Sequence, residues 1–158
     1  MVSNKEVTSI YQDRSGVLWI GTADGVLNKR DPKTGKFSHY QVDPIEPYSQ
    51  EKVRITAIYE DQSGAFWIGT QGISEEKRAG LKKFDPRSSR GETEQLTHYP
   101  SDPVSSIYED RTGLLWIGTQ SGLQKFSRQT GQFLPNQADT DALLTSLSDR
   151  EITSMYAD

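Results

Sequence analysis

Short stretches in which apolar and polar side chains alternate follow one another along this chain, parted by clusters of Gly, Asp, Ser, Thr and Pro. Two-residue alternation turns one side of an extended segment toward a core, and the intervening residues supply the backbone conformations of turns. The pattern predicts strands at 7–12, 17–22, 25–29 and 36–41. The next set has third and fourth strands at 81–85 and 95–99; the one after has them at 122–127 and 132–135, the last weak and ended by Pro135. In the segment 17–22, Val17, Trp19 and Gly21 fall on one face and Leu18 and Ile20 on the other. Both faces are apolar, as in a sheet held between two neighbouring sheets.

The sets repeat. Val7-Thr-Ser-Ile-Tyr-Gln-Asp13 returns at residues 55, 104 and 152, a spacing of 48 or 49. The first three copies run on through Ser/Thr-Gly and two apolar residues into Trp-Ile-Gly-Thr, beginning at Trp19, Trp67 and Trp116. A period of this length without helical spacing predicts one four-stranded propeller blade per unit. The expected fold is therefore all-β: a β-propeller fragment of three four-stranded antiparallel blades plus the first strand of a fourth. Its parts are a lead-in at 1–6, blades at 7–54, 55–103 and 104–151, and that strand at 152–158. A closed ring has about four to eight blades. Three leave apolar flanks open, which predicts further blades in a longer chain or self-association.

Composition narrows the picture. Hydrophobic residues make up 33% of the 158 and mean hydropathy is −0.71, which suits short half-buried strands. The net charge of −4 and the scatter of Lys and Arg, with close pairs at Lys29/Arg30, Lys77/Arg78 and Lys82/Lys83 and no basic stripe, argue against nucleic acid. No run approaches the roughly 18 apolar residues of a membrane helix, so no membrane contact is expected. The start, Met-Val-Ser-Asn-Lys-Glu, lacks the apolar core of a secretory signal, which leaves either a cytoplasmic chain or a signal on another part. Without cysteine there is no disulfide or thiolate metal site.

The pattern Ile-Thr-x-Ile-Tyr-Glu-Asp-x-Ser/Thr-Gly-x-x-Trp-Ile-Gly-Thr, followed by Gly-Leu-x-Lys-Phe, resembles the two-component regulator propeller repeat, most closely in residues 104–126. Residues 42–47 and 145–148 resemble that family's blade-to-blade linkers. The resemblance implies an extracytoplasmic (periplasmic) propeller of a membrane sensor kinase or cyclase relative, sensing an oligosaccharide or other small ligand. It implies no catalysis and no cofactor for this chain, which has no phospho-acceptor helix, nucleotide-binding glycine motif or receiver domain.

Each candidate for chemistry has a plainer role beside it. Trp19, Trp67 and Trp116 could stack sugars, but their recurrence at one mid-strand place predicts packing between blades. Asp13, Asp61, Asp110 and Asp158 each stand alone in a turn, whereas a calcium loop gathers several carboxylates; they are expected to form turns. Tyr11, Tyr59 and Tyr108, Gly16, Gly64 and Gly113, and Gly21, Gly69 and Gly118 recur likewise and belong to the scaffold. His39 and His98 occupy equivalent places on the outer strand, facing solvent. Glu60/Asp61 and Glu109/Asp110 could pair an acid with a base, but recur as parts of the repeat.

Positions alike in every unit serve the blade, so function is expected where units differ. The connections between second and third strands share one face with the linkers between blades. On that face lie the insertion 73–79 and the linkers 42–54 and 136–151. Varied loops on a rigid frame are where binding concentrates. The expected ligand or partner surface comprises Ile73, Ser74, Glu75, Glu76, Lys77 and Arg78, with Asp24, Gln120 and Ser121. Charge in Glu75–Arg78 also has the plainer meaning of a solvated loop. A longer connection at 87–93 follows the third strand of unit two. Two other functions compete with ligand sensing: a protein-interaction or architectural segment, and part of a propeller glycan lyase or sialidase-like hydrolase. An enzyme would place divergent acids, His, Arg or Tyr toward the axis, where the strands instead repeat Ile-Tyr-x-Asp.

Overall fold

The computed structural model describes residues 1–42, 53–72, 79–87, 96–135 and 151–155. Three antiparallel sheets of four strands each follow chain order. Blade 1 holds β1 (Val7–Gln12), β2 (Leu18–Thr22), β3 (Val26–Arg30) and β4 (Phe37–Gln41). Blade 2 holds β5 (Val53–Glu60), β6 (Phe66–Gly72), β7 (Gly80–Phe84) and β8 (Leu96–Pro100). Blade 3 holds β9 (Val104–Glu109), β10 (Leu115–Thr119), β11 (Gly122–Ser127) and the short β12 (Gln132–Leu134). This is the expected all-β propeller fragment, with strand ends moved by a residue or two. The innermost strands β1, β5 and β9 contact one another from blade to blade and so flank the axis.

The turns explain why the strands stop where they do. In blade 1 the Asp13 carbonyl accepts from the Gly16 N–H at 2.9 Å, and Gly16 has φ +85°. Only glycine enters that left-handed region at no steric cost. Gly64 and Gly113 repeat it at +83° and +82°.

The apolar core lies between blades, not within one. Trp19, Leu27 and Val42 of blade 1 pack with Val53, Ile55, Phe66 and Phe84 of blade 2 across the first interface. Trp67 and Leu81 of blade 2 pack with Val104, Leu115, Ile117 and Phe126 of blade 3 across the second. Among the described residues blade 1 has no sheet on its other side, and Ile10 there is 65% exposed.

Residues 152–155 continue the series without forming a ladder. The Ile152 N–H donates to the Thr119 carbonyl at 3.0 Å. Its side chain lies over Gly118 as Ile55 lies over Gly21 and Val104 over Gly69. This is the place of a fourth innermost strand, and no second strand is there to pair with it among the described residues.

Those three glycines are sockets for the next blade. A Cβ on Gly69 would stand 2.6 Å from Val104 Cγ1, and one on Gly21 would stand 2.5 Å from Ile55 Cγ2. Neither partner can retreat, because each is fully buried. Gly69→Ala is therefore expected to cost about 1–3 kcal/mol by overpacking. In urea denaturation, adding Val104→Ala should cost less in the Gly69→Ala background than alone, because the smaller side chain relieves the clash. Additive costs would refute the socket.

Candidate functional site

Each turn aspartate closes its own turn and holds the indole of its own blade. Asp61 Oδ1 accepts from the Ser63 N–H at 2.8 Å, the Ser63 hydroxyl at 2.5 Å and the Ala65 N–H at 3.1 Å. Its Oδ2 accepts from the Trp67 indole N–H at 2.8 Å. Asp13 and Asp110 make the same set, with indole bonds of 2.8 Å to Trp19 and Trp116. Trp19 packs on Phe66 of the next blade at 4.5 Å between ring centroids, and Trp67 on Phe126 at 5.3 Å. Lys29, Lys83 and Lys125, each directly across the ladder from its Trp, place their ammonium groups over the indoles. These faces are fully occupied at Trp19 and Trp67, which are 1% exposed. They offer no platform to a ligand.

Adjacent acidic residues divide the work. Glu60 Oε2 accepts from the Arg14 N–H of blade 1 at 2.9 Å, and Glu109 Oε2 from the Gln62 N–H of blade 2 at 3.0 Å. Each glutamate thus ties its strand to the turn of the preceding blade. The second interface adds Arg128, which the sequence gave no reason to single out. Its guanidinium reaches Asp61 Oδ2 at 2.9 Å and Glu109 Oε1 at 2.5 Å, and donates to the Gly113 carbonyl at 3.0 Å. A cleft of about 370 Å³ opens beside it, but its cation is spent on two carboxylates.

Both histidines are exposed on the outer strands, as expected, and each also makes one contact with the strand or turn beside it. His39 Nδ1 lies 2.7 Å from Oδ1 of the buried Asn28, which also accepts from the Ser3 N–H, so Nδ1 carries the proton. His98 Nε2 lies 3.2 Å from the Ala79 carbonyl. The two stand on different blades and form no pair.

The opposite end of the innermost strands opens into a cavity of about 450 Å³. Two rings of residues line it. In the first, Thr8, Thr56 and Ser105 sit where the register shifts between first and second strands, as bulge residues do. Thr56 and Ser105 donate hydroxyl hydrogen bonds to the carbonyls of Val104 and Ile152 on the next blade. The second ring comprises the residues just before the strand repeat, and these differ: Arg54, Pro103 and Glu151 line the cavity. Glu6 holds the equivalent place in blade 1 and bonds Arg54 Nη2 at 2.5 Å. Gln71 and Gln120, at the ends of the second strands, complete the wall.

Of the expected surface residues that are described, Gln120 alone lines this mouth. Asp24 lies in the β2–β3 turn and accepts from the Thr22 hydroxyl at 2.6 Å. Ser121 is exposed in the β10–β11 turn. Ile73, Ser74, Glu75, Glu76, Lys77 and Arg78 lie outside the described residues. Glu6, Arg54, Pro103 and Glu151 were visible in principle: the repeats, aligned, put four different residues before one shared strand.

The model of the two component regulator propeller matches residues 1–24, 49–72 and 98–121, each from the lead-in of a blade to the end of its second strand. These three segments are similar to the two component regulator propeller repeat. The extracellular domain of one hybrid two component system from B. thetaiotaomicron superposes with a TM-score of 0.73 at 23% identity, over 99% of this chain and 20% of that one. That of a second such system from the same organism gives 0.64 at 23% identity, over 98% and 19%. PorZ, a surface component of the type-IX secretion system of Porphyromonas gingivalis, gives 0.71 at 14% identity, over 100% and 25%. The chain spans about a fifth to a quarter of these structures, and the likeness is one of fold. Among curated proteins none matches. No described helix is long and apolar enough to cross a membrane.

The buried carboxylates have a pH consequence. Burial opposes the charged form of Asp61, but the Ser63, Trp67, Arg128 and Ala65 donors outweigh it and lower its pKa from 3.8 to about 2. A depressed carboxylate stabilises the fold above its unfolded pKa and loses that contribution as pH falls through the folded one. Roughly 2 kcal/mol should disappear between about pH 4 and pH 2. Asp61→Asn should flatten that part of a stability–pH curve. Arg128→Ala, which strands two buried carboxylates, should cost about 3 kcal/mol at neutral pH and move acid unfolding to higher pH.

Proposed function

We propose that this chain is a recognition segment of an extracytoplasmic sensor of the two-component type, and that it performs no catalysis itself. The observation that carries this reading is the division of labour within the repeat. Asp, Trp and Gly, alike in every blade, are consumed by turns, indole bonds and inter-blade sockets. The residues at equivalent places around the axial mouth differ and present polar groups to a cavity. A rigid frame with a varied polar rim suits binding. The extracellular domains with this fold in hybrid two component systems support the sensor role and the location. The ligand is a small hydroxylated molecule such as an oligosaccharide.

Calorimetry of the chain against an oligosaccharide panel tests this. Saturable binding should be lost in the Gln71→Ala/Gln120→Ala variant and kept in Gln129→Ala on the opposite face. Binding indifferent to the mouth substitutions, or product released from any glycan, would overturn the proposal.

A further inference from the structure

The mouth carries one cation whose hydrogen-bonding capacity is only partly used. Arg54 stands directly across the β5–β6 ladder from Gln71, so both side chains leave the same face of the sheet and are neighbours. Glu6 of blade 1 takes Nη2 of the guanidinium. That contact uses one nitrogen of the group and leaves its Nη1 and Nε donors without a protein partner among the described residues. The carboxamides of Gln71 and Gln120 line the same cavity. Unlike the lysines over the indoles, Arg54 has no counterpart in the other blades: the equivalent places hold Glu6, Pro103 and Glu151.

Net charge alone would not draw an anion here. Glu6 cancels Arg54, and Glu151 adds a second carboxylate to the wall. Attraction between solvent-exposed charges is weak and is screened by salt, so the field discriminates little. Directional bonding discriminates more. A planar carboxylate matches the free edge of a guanidinium in a way that a hydroxyl does not. Glu151 then serves as an acceptor for hydroxyl hydrogens and repels a second negative charge on the ligand.

We infer that the axial mouth takes a monocarboxylate bearing several hydroxyl groups, its carboxylate on Arg54 and Gln71 and its hydroxyls on Gln120, Thr153 and Glu151. This rests on the mouth being the recognition site, and it names the ligand class and the residue that selects it.

The test is an NMR titration of the isotope-labelled chain with sodium glucuronate and, at matched ionic strength, with glucose. Glucuronate should shift mouth resonances saturably, and glucose should bind at least about 10-fold more weakly. Arg54→Gln should weaken glucuronate by about 10- to 100-fold and leave glucose unchanged. Arg54→Lys keeps the charge without the fork and should recover only part of the affinity; it also serves if Arg54→Gln fails to fold. Equal affinity for the two sugars, or glucuronate affinity unchanged in both variants, overturns the inference while leaving the mouth a binding site. No response to either sugar, with oligosaccharide binding still lost in Gln71→Ala/Gln120→Ala, overturns the acid preference alone. Loss of all binding at the mouth overturns this inference together with the proposed function.

Discussion

A hydrogen-bonded turn carboxylate, buried at Asp61 and half-buried at Asp13 and Asp110, holds each blade of this protein together. Removing a carboxylate from solvent costs several kcal/mol unless its lone pairs find donors. Here one oxygen closes the turn between the first two strands and the other receives the indole N–H six residues on. The turn therefore fixes the Trp, and the Trp fixes the next blade, because its ring is covered by Phe66 and Phe84 in one case and by Phe126 in the other. A local bond becomes an interface between sheets. Neutralising the aspartate would release both at once.

Around that bond the blades are joined at three depths. Near the turns, Glu60 and Glu109 cap backbone N–H groups of the preceding blade. At mid-strand, β-branched residues enter the glycine sockets. At the mouth, bulged hydroxyls donate to carbonyls of the next innermost strand. The two interfaces are not equivalent. Arg128 adds a buried ion triad to the second alone, whereas the first has the exposed Arg54–Glu6 pair at the opposite end. Exposed pairs contribute little to stability, which leaves Arg54 available for recognition.

Much of the fold was legible because each blade solves the same problem with the same residues. The repeat of Ile-Tyr-x-Asp and Trp-Ile-Gly-Thr placed all four strands of a unit, since alternation and the Asp-to-Gly turn are local properties. It also sorted Trp19, Asp13 and Gly21 into the scaffold, although their partners are in another blade or six residues away. The site was legible only in part. Expectation centred on the insertion at 73–79 and on Asp24, Gln120 and Ser121, because loops that vary draw notice. Single residues at the strand entrances, Arg54 and Glu151 among them, differ just as much between units. They were overlooked because each is one residue at the edge of a longer linker.

The sequence by itself determined the unit: four strands, a carboxylate-locked turn, and a Trp and a Gly that demand a neighbour. All of that follows from period, turn chemistry and the absence of a helical pattern, which a chain reveals without its partners. Only the tertiary structure decided which residues meet across units. Arg128 lies 67 positions from Asp61 and Arg54 lies 48 from Glu6, and no local preference links them. They come together because adjacent sheets stack in a fixed register around an axis, and that geometry turns four unlike residues before a common strand into one polar mouth.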